Sequence, residues 1–134
     1  MRGAILNLTL QHTRAALYRG VLEGLSFCLR ENLEAWRARG LAPKVLRVLG
    51  GGAVNDLWQQ MQADVTGMPI ERPVVTEAAV FGAAMLAMSG HDPTIALKDI
   101  SARNYRAGRL FTPNPAVAEA YTSAYQRYLQ ALEP

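Results

Sequence analysis

One cysteine in 134 residues, Cys28, rules out an internal disulfide. Because Cys28 falls in an apolar helical pattern, it is expected to be a small core residue in a reduced, cytoplasmic setting. No stretch approaches the ~20 apolar residues of a membrane span, and the N-terminus lacks a secretory pattern, so no membrane partner is expected. Only two histidines occur, His12 beside a helix start and His91 in a turn. Neither has a second ligand at metal spacing, and no metal site is expected. The chain also lacks low-complexity segments and internal repeats. Its net charge of +3 comes from scattered rather than clustered arginines, which argues against a nucleic-acid partner. No Ser-His-Asp or Cys-His set can be assembled.

What is present is one domain's worth of core, with 50% hydrophobic residues. Residues 3–10, GAILNLTL, read as a short strand or extended lead-in. Thr13 then caps a helix running to about residue 39, with Gly40 as its stop. Tyr18, Leu22, Leu25, Leu29, Leu33 and Trp36 form an apolar stripe at spacings of three and four. On the other side, the pairs Arg19–Glu23 and Arg30–Glu34 lie one turn apart. Gly20 and Gly24 interrupt the helix and are expected to admit a close neighbour. The run VLRVL at 45–49 reads as a buried strand, followed by the glycines Gly50, Gly51 and Gly52. Asn55 caps a second helix that carries Leu57, Trp58, Met61 and Val65 inward and ends at Gly67. MPIERP at 68–73 is a brief strand. Thr76 is expected to cap a third helix, apolar nearly all round and therefore buried, with Gly82 thin enough for a close neighbour. A short helix at 95–102, an extended segment at 104–112 and a final helix at 115–132 complete the chain. The last helix presents Val117, Tyr121, Ala124, Tyr125, Tyr128 and Leu132, a stripe read as core.

Strand–helix–strand order gives an α/β class with parallel pairing. Two or three strands fall short of the usual sheet of ~4–6, so the sheet is expected to be completed by another chain or by the rest of a larger protein. Self-association through the uncovered surface follows. Asp56 and Asp92 are read as helix-start or turn residues, Asp64 and Asp99 as solvated helix-face residues. None is a candidate catalytic group.

The glycine turn is the one candidate site. It lies between a strand and the N-terminus of the next helix, where open α/β folds bind ligands. Glycine removes side-chain bulk, and free N–H groups at a helix start favour an anion, so a nucleotide lying flat there would fit. A tight turn with no ligand explains the same residues equally well.

The segments RVLGGGAVNDLWQQMQADVTGMPIERP and TEAAVFGAAMLA resemble the C-terminal domain of FGGY-type carbohydrate kinases, and are most like the xylulokinases among them. The 2–36 segment, with its HTR and VLEG motifs, and FTPNPAVAEAYTSAYQRYLQAL are similar to other helices of that domain, so the likeness spans nearly the whole chain. It implies part of a ribonuclease-H-like (actin-like ATPase) fold with a short parallel sheet and flanking helices. It also implies ATP or ADP as ligand, with Gly51, Gly52 and Ala53 under the nucleotide, Gly50 shaping the turn and Asn55 near the adenosine. The family's sugar site, catalytic aspartate and phosphate-binding hairpins lie in parts this chain is expected to lack. Mg²⁺ and a xylulose-like sugar would then be engaged only in a complete enzyme. A non-catalytic remnant or interaction module on the same scaffold is the alternative.

Overall fold

A computed structural model describes residues 3–132. Residues 3–10 form no strand, and Ile5, Leu6, Leu8 and Leu10 are exposed. Helix α1 (Arg14–Ala38) opens as expected, with the Thr13 hydroxyl accepting from the Ala16 N–H at 3.2 Å. Strand β1 (Leu46–Arg47) leads into a 3₁₀ turn (Gly51–Val54) and then α2 (Asp56–Thr66), which ends at Gly67 in a left-handed conformation. Strand β2 (Ile70–Arg72) is followed by α3 (Ala78–His91), α4 (Leu97–Asn104), β3 (Arg109–Phe111) and α5 (Ala118–Leu132). The sheet order is β1-β2-β3. β1 and β2 are parallel, as a strand–helix–strand unit requires, whereas β3 is antiparallel to β2 after the excursion through α3 and α4.

Two apolar clusters form on opposite sides of α2. Leu22 and Phe27 of α1 meet Met61 and Val65 of α2 and Tyr121 and Tyr125 of α5, while Ala63 packs with Ile70 and Phe111 of the sheet. The final helix's tyrosines are therefore core, as the stripe implied. The Tyr125 phenol is pushed up to about 12, first by burial and then by its hydrogen bond to Glu34.

Several sequence expectations are corrected. The buried face of α1 keeps Leu22 and Leu33 of the predicted stripe but adds Ser26 and Phe27, so it is rotated to one side of that stripe. Tyr18, Leu25 and Trp36 are exposed because α2 and α5 approach the other side of the line through Leu22 and Leu33. Cys28 follows Phe27 around the helix and faces outward instead of into the core. A Cβ added at Gly20, Gly24 or Gly82 would meet open space, so none of these glycines is required by a close neighbour in this chain. Leu57 is exposed in the first turn of α2, and Leu132 is exposed near the end of α5. No residue of α3 is buried, and Val80 is 72% exposed. Its apolar composition requires cover on more than one side, and within this chain it packs chiefly on α4. Thr76 does not cap α3 through its hydroxyl; its carbonyl accepts from the Ala78 N–H at 2.8 Å.

Truncating a buried and an exposed leucine of α1 separates the observed face from the predicted stripe. Leu33→Ala should cost about 2–5 kcal/mol in denaturant unfolding. Leu25→Ala should cost less than about 1 kcal/mol.

Glu71 of β2 is buried between the Tyr105 hydroxyl, which donates to it, and Arg47, whose Nε lies 3.1 Å from the carboxylate. The Tyr105 bond, aided by Arg47, holds this carboxyl below its usual value against the opposing effect of burial. The stability it contributes is complete above the unfolded glutamate range, near ~4.3, and is lost as pH falls through the lower folded value. Glu71→Gln should therefore flatten the acid limb of the stability profile below about pH 4, measured by urea unfolding as a function of pH.

Candidate functional site

The turn after β1 is built from restraints that act on its backbone. Gly50 has φ 79° and ψ −172°, a conformation essentially reserved for glycine. Its N–H donates to the Thr76 carbonyl at 2.8 Å, tying the turn to the segment that enters α3. Gly52 is glycine for a different reason. Its φ is not in the left-handed region, but an added Cβ would lie 2.8 Å from Cζ3 of Trp58, whose ring packs beneath the turn. At Gly51 an added Cβ would meet nothing within 4 Å. Three adjacent glycines thus serve three different conditions: positive φ, close approach, and open space.

The turn's carbonyls point back into the protein. The Gly50 carbonyl accepts from the Ala53 N–H at 3.0 Å. The Gly52 carbonyl accepts from Gln59 Nε2 at 2.9 Å, and the Ala53 carbonyl from Arg72 Nη1 at 3.1 Å. Among the described residues, the N–H groups of Gly51 and Gly52 have no acceptor. They are the first donors of a helical turn, which by geometry lack intrahelical partners. Both glycines are exposed. The result is a small surface without side chains, carrying two free donors at the start of the 3₁₀ turn that leads into α2.

The other two predicted site residues are placed differently. Ala53 is 1% exposed, so its methyl group faces the core and only its backbone belongs to the turn surface. Asn55 caps α2, its Oδ1 accepting from the Trp58 N–H at 3.2 Å. That leaves the amide nitrogen of Asn55 as the part of its side chain available to a ligand.

Gln59, Trp58 and Arg72 escaped the sequence reading as parts of this site. Gln59 is 1% exposed, and its amide oxygen is buried without a partner among the described residues. A signal for Arg72 was present in IERP: charged residues in a brief strand need partners if they are to lie against a core. Arg72 Nη1 also lies 2.7 Å from Asp56 Oδ1, and Arg109 of β3 pairs with the other carboxylate oxygen of Asp56. Asp56 is thus a helix-start residue, as read from the sequence, with two arginine partners. Asp64 accepts from Gln60 Nε2 and the Asn114 N–H, and Asp92 from the backbone and hydroxyl of Thr94. Among the described residues no group of His, Cys, Asp and Glu could hold a metal ion, and no helix is long and apolar enough to cross a membrane.

Comparison with known proteins gives a consistent result. Residues 1–91 match the family model for the C-terminal domain of the FGGY family of carbohydrate kinases. A probable L-xylulose kinase of Pasteurella multocida is 37% identical over 132 residues, covering 97% of this chain and 26% of that protein. A glycerol kinase of Thermus brockianus is 50% identical over 86 residues, 62% of this chain and 17% of the relative. The crystal structure of a xyloylose kinase from Brucella ovis superposes with a TM-score of 0.85 at 31% identity, over 98% of this chain and 27% of that one. The chain spans about a quarter of the length of the curated relatives it matches.

The different conditions on the glycines are separable by stability. Gly50→Ala should cost about 1–3 kcal/mol because alanine must adopt a backbone conformation it disfavours. Gly51→Ala should stay within about 0.5 kcal/mol of the parent. Denaturant midpoints of the two variants provide the measurement.

Proposed function

Since the chain belongs to the FGGY family of carbohydrate kinases, we propose that residues 50–55 form the floor on which the adenosine part of ATP rests in an ATP-dependent sugar kinase. The observation that carries this reading is the bare turn surface, with the free N–H groups of Gly51 and Gly52 facing away from the tied-back carbonyls. A flat ligand with polar edges fits such a surface, because nothing larger than hydrogen projects from Gly51 and Gly52. Its hydrogen-bond acceptors meet donors already oriented by the turn, so little ordering is required on binding. Adenosine has that shape and those acceptors. The amide nitrogen of Asn55 adds one directional donor at the edge of the floor.

ATP supplies the phosphoryl group for transfer to a sugar hydroxyl, a reaction governed by positioning and charge stabilisation. This chain's contribution is positioning. Asp56, Asp64 and Asp92 are engaged in ion pairs or hydrogen bonds. As the family resemblance implies, the proton-abstracting carboxylate and the magnesium ligands belong to another domain of the complete enzyme. The similarity to L-xylulose kinase over nearly the whole chain supports a xylulose-like acceptor. The exposed apolar surface of α3 is consistent with a face that the rest of a complete enzyme would cover.

The test places residues 1–134 in a complete kinase, replacing the matching quarter of the Pasteurella multocida relative. Gly51→Val adds a branched side chain to the floor at a position with open space and an ordinary backbone. It should raise KM for ATP by about tenfold or more, equivalent to ~1.4 kcal/mol of lost binding, while KM for sugar changes less than about twofold. Unchanged ATP kinetics in a folded variant would overturn the assignment.

A further inference from the structure

The floor of the proposed site is held from two directions. Gln59 reaches it from the first turn of α2, seven residues beyond Gly52, and Arg72 reaches it from the neighbouring strand β2. The second connection links parts of the chain nineteen residues apart. Arg72 Nη1 carries two hydrogens, and both are used: one on the Ala53 carbonyl at 3.1 Å, the other on Asp56 Oδ1 at 2.7 Å. The bond to Ala53 fixes the peptide plane between Ala53 and Val54, which follows the plane held by Gln59 and lies two planes beyond the last free N–H group. The bond to Asp56 fixes the guanidinium itself. Asp56 is braced in turn by Arg109 of β3, and both arginines lie near the Phe111 ring, at 5.7 Å and 4.8 Å from its centroid. Strands β2 and β3 are therefore coupled to the turn through one carboxylate.

We propose that Arg72, braced by Asp56, is a positioning residue for nucleotide binding, setting the orientation of the turn without touching the ligand. This rests on the nucleotide-floor reading of residues 50–55. The chemistry explains the choice of arginine. A planar guanidinium serves two acceptors in fixed directions, whereas an ammonium at the same place offers charge without that geometry. Gly50 and the Asn55 cap shape the two ends of the turn, and Arg72 sets how its last peptide plane is tilted. Loss of Arg72 leaves a folded turn whose donors are no longer held in one orientation.

In the complete kinase carrying residues 1–134, Arg72→Met, Arg72→Lys and Asp56→Asn would be measured for KM of ATP, KM of sugar, kcat and melting temperature. Arg72→Met should raise KM for ATP about tenfold, the effect of one lost orienting interaction, with KM for sugar and kcat within about threefold. Arg72→Lys should recover less than half of the loss on a logarithmic scale, and Asp56→Asn should raise KM for ATP by about threefold. If Arg72→Met does not fold, the Arg72→Lys and Asp56→Asn variants carry the test. An unchanged KM for ATP, full rescue by lysine, or parallel loss of both KM values with the melting temperature would overturn the proposal. Gly51→Val in the same enzyme separates the two levels. If it raises KM for ATP while the Arg72 variants do not, only the positioning role falls. If it leaves ATP kinetics unchanged, the floor reading falls and this proposal with it.

Discussion

Helix α2 is enclosed on every side after its first turn begins: beyond Leu57, none of its residues is exposed. Met61 and Val65 enter the cluster with α1 and α5, while Ala63 enters the cluster with the sheet. A short helix in this position cannot rotate or slide without disturbing both clusters, because close-packed interiors resist small displacements. The glycine turn is the N-terminal continuation of this helix. Its location is therefore inherited from the packing of α2, and the local hydrogen bonds only refine it.

Polar bonds complete what packing begins. Gln60 Nε2 donates to the Thr112 carbonyl at 2.8 Å, and Asp64 accepts from the Asn114 N–H at 2.8 Å, fastening the segment between β3 and α5 to the flank of α2. On the opposite flank, Arg30 donates to the Val65 carbonyl and lies 4.4 Å from the centroid of the Tyr125 ring. The Arg30 bond is partly buried and so faces limited competition from water, whereas the Gln60 and Asp64 bonds lie at the surface and join distant segments. The same pattern recurs at the site, where Gln59 and Arg72 take the carbonyls of the turn. With these carbonyls tied inward, the donors of Gly51 and Gly52 remain unpaired among the described residues. Anchorage and display fall on successive peptide planes of one turn.

The family assignment and the local geometry support one another while resting on different observations. Similarity to xylulose and glycerol kinases extends over much of the chain, yet the matched segments make up only 26% and 17% of those relatives. The geometry shows which parts of the glycine run have room for a ligand. Of the five residues implied by the resemblance, Gly51 and Gly52 present the open surface. Gly50 supplies its conformation, Ala53 is buried beneath it, and Asn55 is divided between capping the helix and facing outward.

Local signals in the sequence determined where α1 begins and where α2 begins and ends. Thr13, Asn55 and Gly67 act on backbone groups within a few residues, so their effects can be read without knowing the rest of the fold. The same holds for the position of the glycine turn between β1 and α2. Which face of α1 is buried was another matter. Several apolar lines run along that helix, and the approach of α2 and α5 selected the one through Leu22, Ser26 and Leu33. Cys28 and Leu25 were left outside for the same reason. Composition made α3 apolar, but burial depends on a partner, and nothing in the sequence of a helix supplies one. The two clamps on the turn illustrate the division. Gln59 lies seven residues from Gly52 and was in principle within reach of local reasoning. The contact from Arg72 exists only because β2 pairs beside β1 in a register that sets its side chain against Ala53 and Asp56. That meeting of distant segments is a property of the tertiary structure alone.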